Sequence, residues 1–129
     1  MTRIELSRSV LAEPSGVALV LAGPAAREMW PHSGDRAVIA VGGRTATSIT
    51  IDPPRRAGIG FITRVVIREG ATTVAAGRLT IQPAVDLPSG SDLSLVLTAS
   101  EKHERALRRD GKRYLDKLAR VSRDRSSAA

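Results

Sequence analysis

Apolar and polar residues alternate over the first ten positions of the chain. Ile4, Leu6 and Val10 are separated by polar residues, and this period of two predicts a β-strand with one buried face. Arg8 occupies one of the apolar positions in the alternation. Two locations therefore stay open for its side chain: the interior of the fold and a solvated edge of the sheet.

A helical period replaces the alternation after the first strand. Ser15 is suited to cap a helix, and Val17, Val20 and Leu21 then fall on one face. A Gly-Pro pair follows and ends this helix. A second short helix is predicted over residues 25–29.

The period of two returns beyond Trp30, where Pro31 disfavours helical geometry and turns the chain. The predicted strands cover residues 36–41, 44–51, 59–68, 73–82 and 93–99. A Gly-Gly pair predicts a hairpin between strands 36–41 and 44–51. The run DPPRR at 52–56 ends the second of these strands. Gly77, inside the strand 73–82, marks a bend or bulge. With the opening strand these make six, a succession typical of a mainly antiparallel, curved sheet.

The chain from Ser100 onward predicts one long amphipathic helix. Its apolar stripe consists of Leu107, Gly111, Tyr114, Leu115, Leu118 and Val121, and its opposite, basic face of Arg108, Arg109, Lys112, Arg113, Lys117 and Arg120. Glycine inside a helix costs about 1 kcal/mol relative to alanine, so Gly111 indicates room made for the sheet or for a ligand. Residues 123–129 have no apolar partner, and we expect them to be frayed or disordered.

Composition limits the classes of protein to consider. A length of 129 residues suits one domain with one core, which must be aliphatic because the chain has one Phe, one Tyr and one Trp. The absence of Cys excludes disulfides, thiolate metal sites and a thiol nucleophile. Charged residues near the start, and the lack of an apolar stretch long enough to cross a bilayer, predict a cytoplasmic protein without a membrane span.

The net charge of +7 belongs mainly to the C-terminal helix. Ten basic and five acidic residues lie from Glu101 onward, a balance of +5, which leaves +2 for the first hundred residues. Seventeen of the twenty basic residues are Arg, which we interpret as codon bias. The high charge is then weaker evidence for a nucleic-acid partner, and we expect none. Glu104 with Arg108, and Asp116 with Arg120, have the i,i+4 spacing of helix ion pairs.

With its elements in this order, the chain resembles the START-like superfamily, also called SRPBCC, and within it the polyketide cyclase/dehydratase-like proteins. Residues 82–97 are similar to the family's late hairpin, and the last helix is similar to its closing helix. The matching residues of the opening are Ser7, Arg8, Ser9, Val10, Ala12, Pro14, Val17, Leu21, Gly23, Pro24 and Trp30. The resemblance implies an α+β helix-grip fold, in which a curved antiparallel sheet of about six strands surrounds the C-terminal helix and encloses an apolar cavity. The family's usual sheet has seven strands, and the link after Trp30 is short, so a small or partly filled cavity is the alternative.

The resemblance also implies a function. One START-like domain over residues 1–125, followed by a disordered tail over 126–129, would bind a lipid or polyketide-like hydrophobic molecule between the sheet and the helix, without a cofactor. The residues expected at the cavity are Trp30, Thr47, Phe61, Thr63, Gly111 and Tyr114. Tyr114, or Arg8 if it points inward, would orient a ligand carbonyl, because a hydrogen-bond donor in a low-dielectric pocket is strong. Otherwise Tyr114 is a core ring with its hydroxyl at the surface.

Two other functions stay open at this point. A polyketide cyclase or dehydratase would need a polar group deep in the cavity for acid-base chemistry, and an interaction module would use the basic helix. The sequence has no arrangement typical of a nucleophile triad or of a phosphate-binding loop. We interpret His32 and His103 as solvated residues and expect no metal. The sequence makes no prediction about the oligomeric state.

Overall fold

The chain folds as an antiparallel β-sheet with a long C-terminal helix packed along it. A computed structural model describes residues 1–30 and 47–127, without the side chains of Arg27, Thr47, Ser126 and Ser127. The described elements are β1 (Thr2–Val10), α1 (Pro14–Ala22), α2 (Ala25–Glu28), β2 (Thr47–Ile51), β3 (Arg55–Ala57), β4 (Gly60–Glu69), β5 (Thr72–Pro83), β6 (Ser91–Ala99), a 3₁₀ turn (Glu101–His103) and α3 (Glu104–Ser127).

The sheet places the first strand beside the last. The strand order is β1-β6-β5-β4-β2, with β3 also paired to β4, and every pair is antiparallel. Helix α3 packs mainly on β1 and on α1, α1 packs on β4 and β5, and α2 packs on β2. All three helices therefore cover one face of the sheet, and the predicted α+β helix-grip fold is confirmed.

Several boundaries differ from the prediction for local physical reasons. α1 begins at Pro14 rather than after Ser15, with Glu13 at the N-cap position, because the fixed φ of proline suits the first helical residue. The run 52–56 is not all a break, since Arg55 and Arg56 join β3 after the two prolines. α3 continues through Ser127 and so includes part of the segment that we expected to be frayed. The predicted strand 36–41 and its Gly-Gly hairpin lie outside the described residues.

Helix α3 is attached to β1 at both ends of the strand. The Thr2 hydroxyl donates to the Glu104 carboxylate over 2.9 Å, and the Arg8 guanidinium donates to Asp116 over 2.8 Å. Arg8 thus lies at the solvated edge, which decides between its two predicted locations. The predicted pairing of Asp116 with Arg120 is replaced by this contact, because β1 brings an arginine closer.

Gly111 marks the closest approach of α3 to the sheet. A Cβ atom at this position would lie 2.6 Å from Cδ1 of Leu6 and 3.3 Å from Cδ2 of Leu95. Leu6 belongs to β1 and Leu95 to β6, so the missing side chain lets the helix settle over this strand pair. Packing against the sheet therefore explains the glycine. The basic face on the other side of α3 is exposed, as predicted.

Gly77 has a different role from the predicted bulge. It pairs with Val65 of β4 on one side and with Leu97 of β6 on the other. A Cβ atom at this position would overlap the backbone carbonyl oxygen of Val96. The register shift instead lies between Ile67 and Arg68 of β4, so Gly77 permits close strand packing rather than a bulge.

We expect Gly77→Ala to lower the free energy of unfolding by about 2 kcal/mol or more, because backbone rather than a movable side chain blocks the new methyl group. Gly23→Ala is the matched control. Its Cβ would meet the Val20 carbonyl oxygen at 3.4 Å, an ordinary contact, and its φ of −81° suits alanine. Urea denaturation of both variants measures the difference, and equal losses of stability would contradict the explanation.

Two buried serines allow a second test of the packing. Ser91 Oγ donates to the Ala12 carbonyl over 2.6 Å, whereas Ser122 Oγ is buried in α3 without a partner among the described residues. A buried hydroxyl that lacks a partner is destabilising. We therefore expect Ser122→Ala to raise the free energy of unfolding by about 1 kcal/mol and Ser91→Ala to lower it by about as much or more. A change of the same sign in both variants, measured by urea denaturation, would contradict this account.

Candidate functional site

Two of the predicted cavity residues form an aromatic pair in the core. Trp30 and Tyr114 are buried, with ring centroids 5.7 Å apart and planes inclined by 52°. The Tyr114 hydroxyl donates to the Ala26 carbonyl of α2 over 3.1 Å. The phenol therefore links α3 to α2, and its hydroxyl is not at the surface. Burial raises the pKa of Tyr114 well above its usual value, because the ionised form would lose its hydration.

Thr63 has a structural hydrogen bond. It lies on β4 and is almost completely buried, and its hydroxyl donates to the backbone carbonyl of Asp52. The Asp52 N–H in turn donates to the Arg64 carbonyl over 3.1 Å. These contacts hold the segment after β2 against the sheet.

The other predicted cavity residues lie at separate places in the fold. Gly111 contacts the strand pair β1 and β6, as described above. Thr47 begins β2 opposite Glu69, and its side chain is not described. Phe61 lies near the start of β4, two residues before Thr63, and so points to the same face of the sheet. The structure thus places the described residues of this set at separate points of the fold rather than around one described cavity.

Phe61 lines an open cleft of about 340 Å³. Its walls come from the start of α1, the β3–β4 hairpin and the connection between β5 and β6, and they include Glu13, Pro14, Ser15, Arg56, Ile59 and Pro83. Because Phe61 is in phase with the buried Val65 and Ile67, and because α1 forms the opposite wall, the cleft opens on the side of the sheet that carries the helices.

Arg56 and Phe61 form a cation–π contact at this cleft. The guanidinium carbon lies 5.5 Å from the centroid of the ring. The two residues are directly opposite each other in the β3–β4 register, and residues in that relation point to the same face of a sheet. Gly58, with φ of 61°, makes the two-residue turn between the strands, which leaves Ile59 at the tip with 75% of its surface exposed.

Asp110 is a buried charged residue of α3 that belongs neither to the predicted apolar stripe nor to the predicted basic face. It is only 4% exposed, and one carboxylate oxygen accepts a hydrogen bond from Arg109 Nε over 3.2 Å. It lies one helical turn before Tyr114, on the same flank. Its spacing of three after Leu107 and four before Tyr114 was the available signal, since those two residues define the buried stripe.

His103 is partly buried rather than solvated. Its Nδ1 lies 2.8 Å from Ser100 Oγ, and its Nε2 lies 3.6 Å from a carboxylate oxygen of Glu69. The imidazole thus connects the turn before α3 to the end of β4. His32 lies outside the described residues. Over residues 1–30 and 47–127, no cluster of three or more metal-ligating side chains is present, and no described helix has the length and apolarity needed to span a membrane.

Comparison with known proteins identifies the fold. No family model matches this chain, and no curated protein matches it either. Protein CV1439 from Chromobacterium violaceum has a similar structure, with a TM-score of 0.59 and 15% identity over 94% of this chain and 96% of its own. An uncharacterized protein from Rhizobium leguminosarum has a TM-score of 0.52 and 14% identity, over 96% and 95% of the two chains. The KanY protein has a TM-score of 0.50 and 14% identity, over 95% and 99%. The likeness shows the fold alone.

We expect the buried phenol to make stability depend on pH above about pH 10, the ordinary pKa of tyrosine. Tyr114 is the only tyrosine. Above this pH it ionises in the unfolded chain but stays neutral in the fold, so rising pH favours unfolding. The native protein should therefore lose up to about 1.4 kcal/mol per pH unit more than Tyr114→Phe.

Urea denaturation between pH 8 and 11.5 measures this difference. Lys and Arg are the same in both proteins, so their ionisation contributes equally to both curves. Below pH 10 the Tyr114→Phe variant should be less stable by about 1 kcal/mol, because the Ala26 carbonyl loses its donor. Stability curves that stay parallel through pH 11 would show that the phenol is not held neutral by the fold.

Proposed function

We propose that this protein is a START-like domain that binds a hydrophobic small molecule on the helix-bearing face of its sheet, in the cleft beside Phe61. The observation that carries the proposal is the open cleft on the helix-bearing face. Its volume of about 340 Å³ is in the range of small-molecule sites. The helix-grip arrangement supports the same location, because it leaves the end of the sheet beside α1 open.

The inner face of β4 runs from the cleft into the packed apolar core. From Phe61 it leads past Thr63 to Val65 and Ile67, which are completely buried. The Thr63 hydroxyl already donates to the Asp52 carbonyl, so it adds little polarity to this face of β4. The aromatic pair of Trp30 and Tyr114 fills part of the interior. We therefore propose a small ligand held in the cleft itself, with its apolar part against Phe61.

A cyclase or dehydratase of the polyketide type is the second candidate. The observation that favours it is Asp110, a buried carboxylate that lies one helical turn before Tyr114 in α3. Arg109 bonds one of its oxygens, and a carboxylate has further acceptor sites. Such a group could remove or return a proton in a ligand that reached this flank of α3. Dehydration would lower the mass of the bound molecule by one water, and cyclisation alone would change its structure at constant mass, whereas simple binding would change neither.

Native mass spectrometry of the purified protein, beside a denatured control, tests for a molecule retained from the cell. Calorimetric titration with 1-octanol, a neutral apolar probe, then tests the cleft directly. We expect Phe61→Ala to weaken binding of 1-octanol about tenfold, because the ring supplies much of the apolar wall.

Leu19→Ala is the matched control for this titration. Leu19 is an exposed aliphatic residue of α1 that does not line the cleft, so its replacement should leave the affinity unchanged. Failure of the native protein to bind any probe with this alkyl chain, charged or neutral, would contradict the proposal. Equal binding by native protein and Phe61→Ala would contradict the assignment to this cleft.

A further inference from the structure

We infer that the cleft beside Phe61 selects apolar molecules that end in a carboxylate, and that Arg56 binds this group. The inference rests on the proposed function, since it names the class of ligand for the same cleft. Three observations support it: the guanidinium of Arg56 faces the cleft, no carboxylate of the described residues pairs with it, and the cleft walls around it are largely apolar.

Arg56 is directed into the cleft by the strand register. It pairs with Phe61 across the β3–β4 hairpin, so both side chains lie on the helix-bearing face, whereas its neighbour Arg55 pairs with Ile62 and points to the other face. The contact with the Phe61 ring restricts the guanidinium and leaves its N–H edge available. A restricted guanidinium loses less conformational freedom when it binds a carboxylate through two parallel hydrogen bonds.

Arg56 has no carboxylate partner among the described residues. No carboxylate oxygen in residues 1–30 and 47–127 lies within 4.0 Å of its guanidinium nitrogens. Glu13, the acidic residue of the cleft wall, is also beyond this distance. A neutral hydrocarbon in the cleft would remove water from the cation without replacing its hydrogen bonds, which is unfavourable. A ligand carboxylate would replace them.

The walls around Arg56 suit the apolar part of such a ligand. Ile59 is 75% exposed at the tip of the hairpin, and Pro14 and Pro83 face the same space. An alkyl chain laid against these residues and Phe61 would remove apolar surface from water. A single cation beside an exposed apolar wall therefore matches an amphipathic acid better than a neutral or cationic molecule.

Glu13 provides an independent control of the electrostatics. Its negative charge in the same cleft opposes a bound carboxylate, so Glu13→Gln should strengthen carboxylate binding. If the carboxylate bound outside this cleft, the charge of Glu13 would have little effect on its affinity. The two substitutions therefore act in opposite directions on one measured affinity.

The experiment is calorimetric titration of the full chain at pH 7 with octanoate and with 1-octanol, which share the alkyl chain and differ in charge. We expect the native protein to bind octanoate at least tenfold more tightly than 1-octanol. Arg56→Gln should remove this preference by weakening octanoate binding about tenfold or more, and should leave 1-octanol nearly unchanged. Glu13→Gln should strengthen octanoate binding about twofold to fivefold.

Arg64→Gln is the matched control, since Arg64 is an exposed arginine on the other face of β4. This variant should bind octanoate and 1-octanol as the native protein does. Equal affinity of the native protein for the two probes would overturn the inference and leave the proposed function standing. A preference that survives Arg56→Gln, or an equal loss of both affinities in this variant, would overturn it as well. Failure of both probes to bind would overturn the proposed function together with the inference.

Discussion

The close packing of α3 on β1 and β6 is the constraint from which the rest of the arrangement follows. Gly111 lets the helix backbone approach these strands, and the polar contacts of Thr2 with Glu104 and of Arg8 with Asp116 hold the helix parallel to β1. With this flank of α3 occupied, the opposite flank is turned toward α1 and, through the Tyr114 hydroxyl, toward α2. The buried phenol of Tyr114 and the carboxylate of Asp110 lie there for that reason, and not on the side of β1.

The same placement explains why an open cleft remains at the other end of the sheet. α3 packs mainly on β1, so β4 and β5 are covered by α1 instead. α1 has nine residues, or about 14 Å of helix, which is much shorter than the ten extended residues of β4. The start of β4 therefore extends past the helix, and Phe61 meets the beginning of α1 rather than its side.

The periodicity of the sequence predicted the architecture but not the contacts between distant elements. Alternation and helical spacing are local properties, so the strands and the long helix could be predicted from neighbouring residues. The partner of Asp116 could not, because Arg8 is 108 positions away along the chain and only the pairing of β1 with β6 brings it near. The burial of Asp110 was missed for a different reason: its spacing places it beside the apolar stripe, whereas a charged side chain indicates the surface. The cleft is formed by the start of α1, the β3–β4 hairpin and the β5–β6 connection, and no local pattern in the sequence indicates that these three segments meet.

The scarcity of aromatic rings limits how this protein could recognise a ligand. Of its three rings, Trp30 and Tyr114 pack against each other in the core, and the phenol hydroxyl is bonded to backbone. Phe61 alone is left at the cleft, and Arg56 lies over it. Aliphatic walls discriminate weakly between molecules of similar size, whereas a fixed charge discriminates strongly between head groups. Under the proposed function, selectivity would therefore depend on the end group of the ligand more than on the shape of its apolar part.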